Sequence, residues 1–156
     1  MATIKPYSCL IVGLGQIGMG YDLDLDPGKY IYTHARAFSL HPAFQLLAGV
    51  DVSLKKRQLF TKNYDCPAYE SIDIALNVFS PDIIIIAVPT SMHVLVVEQI
   101  LSKAKPLAIL CEKPLADTFK QGKYLLELCN KTNTKLYVNY MRRSAPGVIQ
   151  IKHRID

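Results

Sequence analysis

The sequence predicts an α/β protein, a doubly wound parallel sheet with helices packed on both faces. Short apolar runs alternate five or six times with longer stretches of helical spacing, which is the pattern of repeated βαβ units. The runs are continuous instead of alternating with polar residues, as strands buried on both faces require. A glycine-rich turn follows the first of them.

The first strand is predicted at Cys9–Val12. The helical pattern that should follow is interrupted over Tyr21–Tyr32, where Asp22, Asp24, Asp26, Pro27 and Gly28 break it, and it resumes near Thr33. Phe44–Val50 reads as the second strand and Ala68–Tyr69 as a small third one; Asp82–Val88, Leu107–Cys111 and Lys135–Asn139 are predicted as the fourth, fifth and sixth. Between them, Ser53–Asn63 and Ser71–Val78 have helical character. Met92–Leu101 places Val94, Val97 and Leu101 on one face, and Thr118–Cys129 does the same with Tyr124, Leu125 and Leu128. Ile151–Asp156 reads as the helix after strand six.

With 156 residues, 50% hydrophobic and 20% charged, the chain has the composition of one globular domain and can bury a core. Its longest apolar run, Ile83–Val88, has six residues, far short of the roughly 18 of a membrane span. The stretch Cys9–Gly15 after Lys5 is too short and glycine-broken for a secretory leader. Cys9, Cys66, Cys111 and Cys129 have no CxxC spacing, so buried thiols in a reducing cytoplasm are expected, with no metal site. Charge is uneven: residues 1–99 hold 7 Lys and Arg against 9 Asp and Glu, and residues 100–156 hold 11 against 4. The lysines of the basic third are scattered without interleaved aromatics, which fits a solvated face and not a nucleic-acid surface.

Gly13-Leu14-Gly15-Gln16-Ile17-Gly18 directly follows the first predicted strand. In that context the pattern is the fingerprint of a Rossmann-type dinucleotide site. Gly13 permits the turn out of the strand and Gly15 lets a diphosphate approach the free amides of Gln16 and Ile17, while Gly18 allows close helix packing. Such a site also wants an acid ending strand two, about 20 residues on, to accept from the adenosine ribose. Asp51 has the strand context but lies 33 residues past Gly18, a misfit that an insertion at about 21–32 explains. An anionic Asp51 favours NAD over NADP, although Lys55, Lys56 and Arg57 stand close enough to offset its repulsion of a 2′-phosphate. The run Asp22-x-Asp24-x-Asp26 imitates the start of a calcium loop, but Pro27 and Thr33 stand where such a loop needs Gly and Glu.

Two further segments end predicted strands, where ligands sit in open α/β sheets: Val88-Pro89-Thr90-Ser91-Met92-His93 and Glu112-Lys113-Pro114-Leu115-Ala116. Together with the glycine turn, Asp51 and Tyr140-x-Arg142-Arg143-x-x-Pro146, they resemble the glucose-fructose oxidoreductase / inositol dehydrogenase / rhizopine catabolism (Gfo/Idh/MocA) family over essentially the whole chain. Members usually carry His-Ala close after the third glycine. Here it is His34-Ala35; removing thirteen residues restores that position and brings Asp51 to 20 residues past Gly18.

The resemblance implies a sugar or polyol dehydrogenase using NAD(H). It implies that Lys113 assists proton transfer, that the Lys113–Pro114 bond is cis, and that Glu112 lies by the nicotinamide. Val88, Pro89, Thr90 and His93 would line the cofactor groove, which Arg143 would also reach. Tyr30, Tyr32, His34 and Arg142 would be substrate-side contacts. Members continue into a second domain that carries a catalytic Asp-x-x-x-His and usually forms a homo-oligomer. No Asp-x-x-x-His occurs in this sequence, so the expectation is a nucleotide-binding half that is inactive or nearly so by itself. The alternative is a stand-alone NAD(P)-binding regulatory or redox-sensing module.

Overall fold

A computed structural model describes residues 5–155. Six parallel strands form one sheet: β1 (Tyr7–Val12), β2 (Phe44–Val50), β3 (Ala68–Tyr69), β4 (Ile83–Ile86), β5 (Ala108–Cys111) and β6 (Lys135–Val138). Their spatial order is β3-β2-β1-β4-β5-β6. The order reverses between β1 and β4, so a crevice opens there at the carboxyl edge. The helices are α1 (His34–Leu40), α2 (Leu54–Tyr64), α3 (Ile72–Val78), α4 (His93–Lys103), α5 (Phe119–Lys131) and α6 (Pro146–Ile155).

Strand side chains divide by parity between two cores. Leu10, Val12, Ile84, Ile86, Ile109 and Cys111 meet Ile72 of α3, Val97 and Ile100 of α4 and Leu125 of α5 on one face. On the other, Cys9, Ile11 and Ile85 meet Leu14, Met19, Ala35 and Phe60. Thr33 and Ser71 start α1 and α3 by accepting from the amides of Arg36 and Ile74. Thr118 and Gln121 form a reciprocal cap on α5. The four cysteines are free; burial pushes the Cys9 and Cys111 thiols up to about 12 and leaves them inert. Among the described residues no helix is long and apolar enough to cross a membrane.

Some boundaries differ from the sequence reading. β4 stops at Ile86 because Val88 turns out of the ladder into the crevice wall. α4 begins at His93, after a 3-10 turn at Thr90–Met92. The last helix starts at Pro146, earlier than Ile151, and Asp156 lies outside the described residues.

The largest difference follows Gly18. No α-helix forms there; wide turns carry the chain out, with the Gly20 and Tyr21 amides donating to the carbonyls of Gly15 and Gln16. The chain returns at α1, where His34 N donates to Ile17 O at 3.1 Å and Ala35 N to Gly18 O at 2.9 Å. With thirteen intervening residues removed, both would be ordinary helical i→i+4 bonds. The excursion is pinned by Asp22. Fully buried, its carboxylate accepts from Tyr32 N at 2.6 Å, Thr33 N at 2.9 Å and Thr33 Oγ1 at 2.8 Å, with Arg36 Nε at 3.6 Å. Arg36 in turn donates to the carbonyls of Leu25 and Tyr30.

Candidate functional site

The crevice at the β1/β4 reversal holds two adjoining cavities that share Val88 and Pro89 as a common wall. The smaller, about 580 Å³, runs past Gly13, Gly15, Asp51, Lys56 and Met92. The larger, about 1110 Å³, is walled by Gln16, Ile17 and Tyr21 on one side and by Glu112, Lys113 and Asn139 to Arg143 on the other. Thr90 also lines it.

The glycine turn is shaped by steric need. Gly13 has φ +98°, and a Cβ there would lie 2.5 Å from Ala87 O. A Cβ on Gly18 would lie 2.1 Å from Gly13 O, so this glycine packs on the turn itself. Gly15 differs: a Cβ there would meet nothing within 4 Å. It borders open crevice, and among the described residues the amides of Gly15, Gln16 and Ile17 have no protein acceptor. Free amides beside an open cradle are a fit for a diphosphate.

Asp51 ends β2 and ties it to the turn. Its Oδ2 accepts from Leu14 N at 2.9 Å and from Lys56 Nζ at 3.3 Å, and its Oδ1 accepts from Ser53 N at 2.9 Å. Lys56, half in solvent, therefore sits beside Asp51, and Glu70 lines the same cavity.

At the other end, β5 delivers Glu112 into a buried cluster. His34 Nε2 lies 2.8 Å from Glu112 Oε1, Asn139 Nδ2 donates to the same oxygen at 2.6 Å, and Lys113 N donates to Oε2 at 3.3 Å. Burial pushes the Glu112 carboxyl up, but the hydrogen bonds from His34 and Asn139 outweigh it and hold the group below its usual range. The Lys113–Pro114 bond is cis.

His93 does not line the groove. It is fully buried, with Nε2 3.1 Å from Val88 O and Nδ1 3.0 Å from Leu115 O, and braces the two loops from behind. His34 is likewise turned to Glu112 from behind the wall and is 7% exposed. Tyr30 and Tyr32 lie with ring centroids 5.7 Å apart and tilted at 50° on the surface and do not border the cavity, whereas Tyr21, not singled out by the sequence, does. Asn139 is a second addition; its position at the carboxyl end of strand six was the available signal.

This geometry agrees with what the sequence is similar to. Residues 7–140 match the Gfo/Idh/MocA family, described as an oxidoreductase family with an NAD-binding Rossmann fold. The chain belongs to this family. It is 26% identical over 128 residues to the rhizopine catabolism protein MocA of Rhizobium meliloti, covering 82% of this chain and 39% of that protein. It is 32% identical over 75 residues to D-xylose 1-dehydrogenase [NADP(+)] of Haloarcula marismortui, covering 48% of this chain and 20% of that one. The structure of myo-inositol 2-dehydrogenase from Lactobacillus plantarum superposes with a TM-score of 0.79 at 21% identity, over 97% of this chain and 41% of that one. The chain thus spans well under half the length of these Gfo/Idh/MocA relatives, as their NAD(P)-binding Rossmann domain.

Proposed function

We propose that the chain is the nucleotide-binding half of a cytoplasmic oxidoreductase that prefers NAD to NADP and acts on a secondary alcohol of a sugar or polyol. The observation that carries the reading is the acceptor-free amide cradle at Gly15 running into the wall made by Glu112 and Lys113. When bound, the dinucleotide gives or takes a hydride at nicotinamide C4.

The chain's own residues do the rest. The amides of Gly15, Gln16 and Ile17 bind the diphosphate, next to the turns set by Gly13 and Gly18. Asp51 accepts from the ribose hydroxyls and repels a 2′-phosphate. Val88, Pro89 and Thr90 separate the two ends of the groove and orient the cofactor along it. Lys113 is the group that holds or moves a proton at Nζ, with Pro114 fixing the loop behind it. Glu112, kept ionised, is positioned by His34 and Asn139 and anchors the Lys113 amide.

D-xylose, inositol and rhizopine appear in the names of its relatives, and this supports a polyhydroxylated substrate. Calorimetric titration of the 156-residue chain with NADH, beside turnover assays on a polyol panel, tests the reading. Binding with negligible turnover is expected. Absence of binding up to millimolar NADH would overturn it, and rapid turnover would show that the chain carries a complete active site.

A further inference from the structure

Three cations and no free anion face the larger cavity. Lys113 follows β5, and Arg142 and Arg143 lie on the 3-10 turn after β6. Among the described residues none of the three is paired with a carboxylate. The single carboxylate on the wall, Glu112, is already taken by His34, Asn139 and the Lys113 amide.

A dinucleotide does not answer this charge. Its diphosphate is served by the free amides of the glycine turn, and oxidised nicotinamide adds a further positive charge at this end. Lys113, Arg142 and Arg143 are all exposed, and a cavity lined by one sign of charge concentrates anions of the opposite sign. The guanidinium fork matches carboxylate and phosphate groups.

The facing wall carries an aromatic ring. Tyr21 borders the cavity and is 60% exposed. It is held in place by its neighbour Asp22, whose buried bonds to Tyr32, Thr33 and Arg36 fix the excursion. An exposed ring face at a cavity rim packs against the C–H face of a sugar.

We propose that the substrate is an anionic sugar, one bearing a carboxylate or phosphate, packed between Tyr21 and the Arg142–Arg143 pair. This rests on reading the crevice as the dinucleotide site. The thirteen-residue excursion then has a role that the dinucleotide fold does not require: it supplies a specificity element.

The test is calorimetric titration of the full chain, with and without saturating NADH, using glucuronate, glucose 1-phosphate and glucose. At least one anion should bind about tenfold or more tightly than glucose. Tighter glucuronate assigns a carboxylate, and tighter glucose 1-phosphate assigns a phosphate. Arg142→Gln with Arg143→Gln, and separately Tyr21→Ala, should each remove most of that advantage. Lys131→Gln, at the far end of α5, should not. Equal affinity for glucose, or no anion binding, would overturn the proposal. So would displacement of NADH by the anion, which would assign the cations to the cofactor's phosphates. If NADH fails to bind while the anion preference persists in the free chain, the dinucleotide reading falls and the anion site stands.

Discussion

His34 Nε2 lies 2.8 Å from Glu112 Oε1, with both side chains less than a tenth exposed. The pair joins the start of α1 to the end of β5, 78 residues apart. It fixes the carboxylate next to Lys113 whether or not a ligand is present.

Glu112→Gln should therefore destabilise the fold in a pH-dependent way. The folded carboxyl titrates below its unfolded value, so its contribution is fully present above about pH 4.5 and is lost as pH falls through the folded value. Urea unfolding at neutral pH should show a loss of about 1–3 kcal/mol. The gap between variant and parent should stay level from pH 7 to about 4.5 and narrow below that; a gap that persists unchanged well below pH 4.5 would contradict the account.

Asp22→Ala removes one partner of a buried ion pair together with three hydrogen-bond acceptances. A loss of about 3–5 kcal/mol is expected in denaturant unfolding. An effect below about 1 kcal/mol would mean that solvent already reaches this site.

Deleting residues 20–32 joins Met19 to Thr33 and turns the Ile17–His34 and Gly18–Ala35 contacts into i→i+4 bonds. Arg36 loses its partners together with the segment that covers it. The deletion variant should fold and keep NADH affinity within about threefold, a difference of well under 1 kcal/mol. Circular dichroism and calorimetry would show this, and loss of NADH binding would place the excursion in the dinucleotide site.

Lys56 pairs with Asp51 at 3.3 Å and is the cation best placed to tolerate a 2′-phosphate. Lys56→Ala should raise the preference for NADH over NADPH by about tenfold. An unchanged ratio of dissociation constants would show that Lys56 has no part in cofactor choice.

The strands were legible because a sheet buried on both faces demands continuous apolar runs, as in Ile83–Ile86. The place of Asp51 directly after β2, against the glycine turn, was legible from its strand context once the excursion was allowed for. What the sequence concealed were contacts made at a distance. Nothing near Asp22 announces that its carboxylate turns inward to Thr33 and Arg36, so the stretch reads only as an acidic insertion that breaks the helical pattern. His93 stands in a site-like motif, yet its buried ring is enclosed by the carbonyls of Val88 and Leu115 and the Cys111 thiol. Asn139 is an unremarkable residue in sequence and matters because β6 lies beside β5, which brings its amide to Glu112.

The most direct measurement compares NADH binding by the parent chain and by Gly15→Val. The substituted side chain would project into open crevice, with nothing within 4 Å of its Cβ. Thermal stability should fall by no more than about 1 kcal/mol equivalent, while NADH affinity should drop by about a hundredfold or more as the diphosphate cradle fills. Equal NADH affinity in the two proteins would contradict the assignment of the glycine turn as the dinucleotide site.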